Sequence, residues 1–298
     1  MTTEFLTTQR INQPYLYADG CLPRVASFTS ENDPLTVLIS PGRVRDSTDR
    51  FDLYVESTLT LSFTTPALPG INKIDRIMPS PIPDGTWFAI YIIGSSLNQV
   101  RPQSIAVPVA PGTDYTNAVA AVPPPRLPYD ASLNVTYDVY RHVGWCSFYT
   151  NPYTLTGTCL KPFATRDLGV NFRKHDYNFK YLVTSAILPA SNTFMFETGT
   201  FNKELMPGTT SCYFGLTIQS VVVDGYIAFI DTGTNPTLPA GETIGTQWPF
   251  ERGTSTQFHD GNLAPFWSPG LSSYGLGRII PSGNFAFSLY VKDCDYVI

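Results

Sequence analysis

Asp84-Gly85-Thr86-Trp87-Phe88-Ala89-Ile90-Tyr91-Ile92-Ile93-Gly94 decides how the chain is read. A turn dipeptide opens it, eight residues without formal charge follow, and a glycine closes it. Apart from Thr86 the run is apolar, and it is rich in aromatic and β-branched side chains. Such a run is too short for a membrane span and lacks the 3.6-residue period of an amphipathic helix. It predicts a central strand buried on both faces.

Upstream of it lies the clearest alternation in the chain. Phe51, Leu53, Val55, Leu59, Leu61 and Phe63 are apolar at odd positions, and Asp52, Glu56, Thr58, Thr60 and Ser62 are polar at even ones. Period two over thirteen residues predicts one strand with a single buried face, bent near Ser57. Downstream, Thr136–Trp145 predicts a strand with Tyr137, Val139, Arg141, Val143 and Trp145 on one side and Asp138, Tyr140 and His142 on the other. Further strands are expected at Leu35–Ser40, Phe179–Leu188, Thr193–Thr198, Cys212–Asp224, Tyr226–Asp231 and Phe285–Val297. Asp224-Gly225, between two apolar runs, predicts a hairpin.

Twenty-six prolines and twenty-two glycines punctuate the chain throughout, so they mark turns and not a disordered tract. Residues 64–83 and 94–128 read as long loops, with a helical turn or two at Thr116–Val122, and 232–283 as a long excursion with short strands. The expected fold is all-β: an antiparallel β-sandwich or jelly roll of roughly ten to fourteen strands with long Pro/Gly-rich loops. Residues 1–34 are expected to form an extended N-terminal arm. Residues 35–298 form the sandwich region, with any division into sub-domains near 100–130.

Charged residues are only 14% of the 298, against about 25% in an average domain. A surface that poor in charge suits burial against copies of the same chain, and equally a neutral Thr-rich sheet. The net charge is −5 and no basic run exceeds two residues, which speaks against nucleic-acid binding. No apolar run approaches a transmembrane helix, so no membrane partner is expected. The five cysteines have no CxxC spacing, and Met1-Thr-Thr-Glu starts no secretion signal. Both predict reduced, buried thiols in a protein made in a cytoplasm.

Chemistry-bearing constellations are missing from the pattern. His142, His175 and His259 have no second ligand at metal spacing, and each reads as a surface or satisfied core histidine. No GxSxG occurs, and Cys146 sits in a strand-like run with no base beside it in sequence. Asp52 and Glu56 share a strand face but lie roughly 13 Å apart at the usual rise, beyond the range of about 5–9.5 Å for glycosidase pairs. No enzyme activity, cofactor or metal is expected. Asn134-Val135-Thr136 fits a glycosylation acceptor, which carries no weight without a secretion signal. Arg45-Asp46-Ser47-Thr48 reads as a turn fixed by its own side chains, or as a contact loop at a subunit junction.

Three motifs in order resemble β-rich virion proteins of tailed bacteriophages. They are Gly42-Arg43-Val44-Arg45-Asp46-Ser47-Thr48, then Trp87-Phe88-Ala89-Ile90-Tyr91-Ile92-Ile93, then Tyr137-Asp138-Val139-Tyr140-Arg141-His142-Val143-Gly144-Trp145. The match covers most of residues 35–220. It departs in the loop at 64–83 and in the eight residues between Pro128 and Tyr137. The resemblance implies a structural part of the particle: a capsid decoration protein, a head fibre, or a tail or collar appendage. It implies other virion proteins as partners, a homotrimer, and synthesis in a host bacterial cytoplasm. Candidate assembly contacts are Tyr15, Tyr17, Arg45 and Tyr115. The alternative is a tail receptor-binding module for host-surface glycan, with Trp248 and Trp267 as stacking residues.

Overall fold

The computed structural model describes residues 18–25, 35–63, 69–79, 81–97, 100–109, 124–131, 134–150, 158–169, 171–188, 195–200, 206–207, 209–220, 225–230, 247–250, 256–259, 273–279 and 285–298. Over 178–292 the description covers side chains only at Met206 and Pro207. The fold is all-β: the described residues contain no helix, and their strands form several antiparallel sheets. The chain divides into two compact units, one of residues 1–113, 118–178 and 295–298, the other of 114–117 and 179–294.

In the first unit the strands are β1 (Ala18–Gly20), β2 (Pro23–Val25), β3 (Thr36–Ile39), β4 (Gly42–Arg45), β5 (Asp52–Val55), β6 (Leu59–Ser62), β7 (Trp87–Gly94), β8 (Gln103–Pro108), β9 (Tyr129–Asp130), β10 (Val135–Thr136), β11 (Val139–Thr150), β12 (Thr158–Leu160), β13 (Phe163–Gly169) and the start of β14 (Phe172–Leu188). They form sheets of order β1-β4-β5, β12-β11-β7-β8 and β14-β13-β2-β3-β6, with β9 and β10 as a separate pair. Residues expected in an N-terminal arm thus supply β1 and β2, which extend two of these sheets.

β7 is buried at all eight positions, as its sequence predicts. Its even residues Phe88, Ile90 and Ile92 enter an apolar cluster with Val37, Ile39, Val44, Leu53, Val55, Leu61, Phe148 and Phe163. That cluster draws on all three larger sheets, so the unit is sandwich-like around it. Phe63, Phe88 and Phe148 meet edge to face or tilted, with centroids 5.0–5.7 Å apart. The odd residues Trp87 and Tyr91 point the other way, into an aromatic layer with His142, Trp145, His175, Tyr177 and Tyr296.

Three expectations are corrected here. The alternating run 51–63 is two strands, not one: β5 pairs β4, β6 pairs β3, and they lie in different sheets. Both keep the same inward parity, so period two is blind to the change of sheet. Next, β11 carries a bulge between His142 and Gly144, where His142 faces Tyr91 and Gly144 faces Ile90. The extra residue flips the parity: Trp145 joins His142, while Cys146 and Phe148 replace it on the side of Val139 and Val143. Finally, β16 (Thr209–Ser220) and β17 (Gly225–Ile230) form no hairpin across Asp224-Gly225, because they belong to separate sheets.

The edge of β8 is covered. Residues 72–75 run beside it, with Asn72 N donating to Ser104 O at 2.8 Å, Ala106 N to Lys73 O at 3.0 Å and Asp75 N to Ala106 O at 2.9 Å. Asn72 (φ +56°) also accepts from Ser104 N and Oγ. A stretch read as loop therefore satisfies an edge strand that would otherwise invite foreign pairing.

The second unit holds the rest of β14, then β15 (Met195–Thr200), β16, β17, β18 (Gln247–Phe250), β19 (Thr256–His259), β20 (Ser273–Ile279) and most of β21 (Phe285–Val297). Four of them form a sheet of order β15-β20-β17-β18, and β19 pairs β16. With β1 to β14, the described residues carry 21 strands. The lower expected count missed several strands too short to show a period, such as β9, β10 and β12, and longer ones within stretches read as loop, such as β8.

Candidate functional site

The motif Gly42–Thr48 ends β4 in a turn organised by Asp46. Its carboxylate accepts from Thr48 N at 2.9 Å, Arg50 N at 2.7 Å, Phe51 N at 2.6 Å, and the Thr48 hydroxyl. Burial works against the charge. The hydrogen bonds from the Thr48 hydroxyl and from the amides of Phe51, Thr48 and Arg50 outweigh it and lower the Asp46 pKa. An Asx-type turn was legible in Arg45-Asp46-Ser47-Thr48; the reach to Phe51 was not.

Arg45, a candidate assembly contact, is 5% exposed. Its guanidinium binds Asp52 through Nε at 2.9 Å and Nη2 at 3.2 Å, and Arg43 binds the same carboxylate. Asp52, weighed above as half of a catalytic pair with Glu56, is held by both arginines. Glu56 is exposed, 4.0 Å from Arg101.

The three motifs that carry the resemblance touch one another. Ser47 N, in the first, donates to Tyr140 O in the third at 2.8 Å. The second and third are β7 and β11, paired from Val139↔Gly94 to Ser147↔Trp87. Arg141, 4% exposed, donates from Nη2 to Ile298 O at 2.7 Å, and Ile298 N donates to Asn171 O at 3.0 Å. The end of β21 is thereby pinned to β11 and to the β13–β14 turn.

Arg173 is a residue that sequence reasoning missed. It is fully buried, donates to Gly20 O, Cys21 O and Val143 O, and lies 3.2 Å from Asp167. A guanidinium buried in this way ties β14 to β11 and to the Gly20–Cys21 corner. Its only sequence signal was Arg173-Lys174 in a polar stretch, which reads as surface.

The histidines are placed as follows. His175 is buried at 1% exposure, stacked on Phe163 at 4.3 Å and flanked by Trp87 and Tyr177. His142 meets Tyr91, Trp145 and Tyr296; the residue as a whole is half-buried, and its Nε2 is buried. Burial pushes both pKa values down to about 3, helped by Arg141 and Arg173 beside His142 and by Lys161 beside His175. Neutral imidazoles in an aromatic layer pack more than they catalyse. His259 ends β19, where it pairs with Leu216. Among the described residues no three His, Cys, Asp or Glu side chains gather as a metal site.

No protein-family model matches the chain, and no curated protein sequence matches it.

Of the remaining candidates, Trp248 lies on β18, where it pairs with Ile227. Tyr15, Tyr17, Tyr115 and Trp267 fall outside the described residues, as does the helical turn expected at Thr116–Val122. Cys21, Cys146, Cys159 and Cys294 are all buried. Burial pushes Cys21 up to about 12 and raises Cys146 well above its usual value. No helix among the described residues is long and apolar enough to cross a membrane.

Proposed function

We propose that this chain is a structural component of a bacteriophage virion, a capsid decoration or head-fibre protein or a tail or collar appendage, acting by protein–protein contacts. The observation that carries the reading is the contiguity of the three motifs behind the resemblance. They meet through Ser47–Tyr140 and through the β7–β11 ladder. Their conspicuous polar residues are spent on the scaffold: Asp46 on a turn, Arg45 on Asp52, Arg141 on the end of β21. A motif set used for bracing suits a part whose work is to hold shape. The proposal includes a homotrimer held to other virion proteins, made in the host bacterial cytoplasm and carried on the particle.

Antibody labelling of purified virions, viewed by electron microscopy, tests this. Label over the head is expected for a decoration or fibre role, and label at the tail or collar for an appendage. Particles that carry no label at all would remove the virion reading. Light scattering coupled to gel filtration checks the trimer, with three times the chain mass expected.

A further inference from the structure

The two clusters that flank β7 differ in what they do with protons. Under Phe88, Ile90 and Ile92 the members are hydrocarbon side chains with Cys21 and Cys146, none of which takes up a proton between pH 7 and pH 3. Around Trp87 and Tyr91 the layer contains both His142 and His175.

The charges facing those histidines share one sign. His142 has Tyr91 from β7, Trp145 and Arg141 from its own strand, Tyr296 from β21 and Arg173 from β14. His175 has Trp87 from β7, Phe163 from β13, Tyr177 from its own strand and Lys161 beyond β12. The nearby carboxylates are already engaged: Asp167 with Arg173, Asp295 with Lys174, Asp176 with Arg166. A proton added to either imidazole would join Arg141, Arg173 and Lys161 as a further cation.

We propose that the first unit opens in acid along this aromatic–histidine layer, freeing the Asp295–Ile298 end of β21 from Arg141 and Asn171 while the apolar cluster under Phe88 stays closed. Both histidines hold fewer protons in the closed form, so its stability is complete above pH 6.5 and falls as the pH drops toward 3. Each buried histidine multiplies the open-to-closed ratio by up to about 10 per pH unit in that window. Tyr296 is the lever: it is fully buried, in contact with His142, and two residues from the carbonyl that Arg141 holds.

The test uses the full-length wild-type chain. Hydrogen exchange read by mass spectrometry, corrected for the intrinsic pH dependence of exchange, is compared at pH 7.5 and pH 4. Segments 163–178 and 293–298 are expected to lose at least about tenfold more protection than segment 87–94. Equal loss in all three, or no loss, would overturn the proposal. The second arm follows the fluorescence of Trp87 and Trp145, both in the layer, through an acid titration of His175→Phe. Its midpoint is expected to fall by about one pH unit. A variant with wild-type far-UV circular dichroism at pH 7.5 and an unchanged midpoint would also overturn it. If the variant does not fold, the wild-type exchange comparison decides by itself.

Discussion

Gly144 and Tyr296 fit each other at the β11 bulge: a Cβ built on Gly144 would lie 3.0 Å from the Tyr296 hydroxyl oxygen and 2.9 Å from Pro23 Cγ. The bulge turns Gly144 toward β2 and the end of β21, and the missing side chain lets both close on it. Pro23 and Tyr296 are stiff, so neither yields easily. Gly144→Ala is expected to cost about 1–3 kcal/mol by overpacking. Urea unfolding measures it, and Gly144→Ala combined with Tyr296→Phe should recover part of the loss by removing the hydroxyl.

The Asp46 turn predicts a pH-dependent stability. Asp46→Ala leaves the amides of Thr48, Arg50 and Phe51 without their shared acceptor. A cost of about 2–3 kcal/mol follows for hydrogen bonds to a charged group. Because the folded pKa is lowered, the carboxylate's contribution is complete above its ordinary value of 3.8 and is lost as pH falls through the folded one. Urea midpoints across that range should converge for wild type and Asp46→Asn at the acid end. A difference that persists unchanged in acid would contradict the assignment.

Asp52 sits between two guanidiniums, and its removal should therefore hurt more than the loss of either. Arg45→Met leaves Asp52 still bound by Arg43. Asp52→Leu removes the carboxylate that both arginines share, and leaves the buried Arg45 the longer contact to Asp49 at 3.9 Å. The expected costs are about 1–2 kcal/mol for the first and about 3–5 kcal/mol for the second. Denaturant midpoints for the two variants give the order, and the reverse order would show that burial of Asp52 is not sustained by the pair.

Four thiols are predicted to be inert in the folded chain. Cys21, Cys146, Cys159 and Cys294 are buried away from reagent, and at Cys21 and Cys146 burial also disfavours the thiolate that reacts. Iodoacetamide at pH 8, with sites read by mass spectrometry, should leave all four unmodified over an hour and modify all four in denaturant. Fast native labelling of Cys146 would mean that the cluster beside Phe88 opens at neutral pH.

What could be read in the sequence follows from locality. Trp87–Gly94 shows its two buried faces because an uninterrupted apolar run has few other uses. Leu53, Val55, Leu61 and Phe63 show their inward side because strand parity is a property of neighbouring residues. The Asp46 turn shows because Asp, Ser and Thr bond their own backbone. Class and composition followed from these: an all-β chain, with the candidate scaffold residues Arg45 and Asp46 already in view.

The rest was decided by partners far away in sequence. β5 and β6 part company because each finds a different earlier strand, β4 or β3, and nothing within 51–63 records which. β16 and β17 end in different sheets because a turn signal permits a reversal without choosing the neighbour. The bulge at His142–Gly144 moved Trp145 across the strand to suit Tyr91 and Ile90 opposite. Arg173 and His175 look like surface residues until Gly20, Cys21 and Val143 supply carbonyls, and Trp87 and Phe163 supply rings, from more than ten residues away. Burying a charge or an imidazole is costly unless distant groups are already in place to receive it. Only the folded chain brings them together.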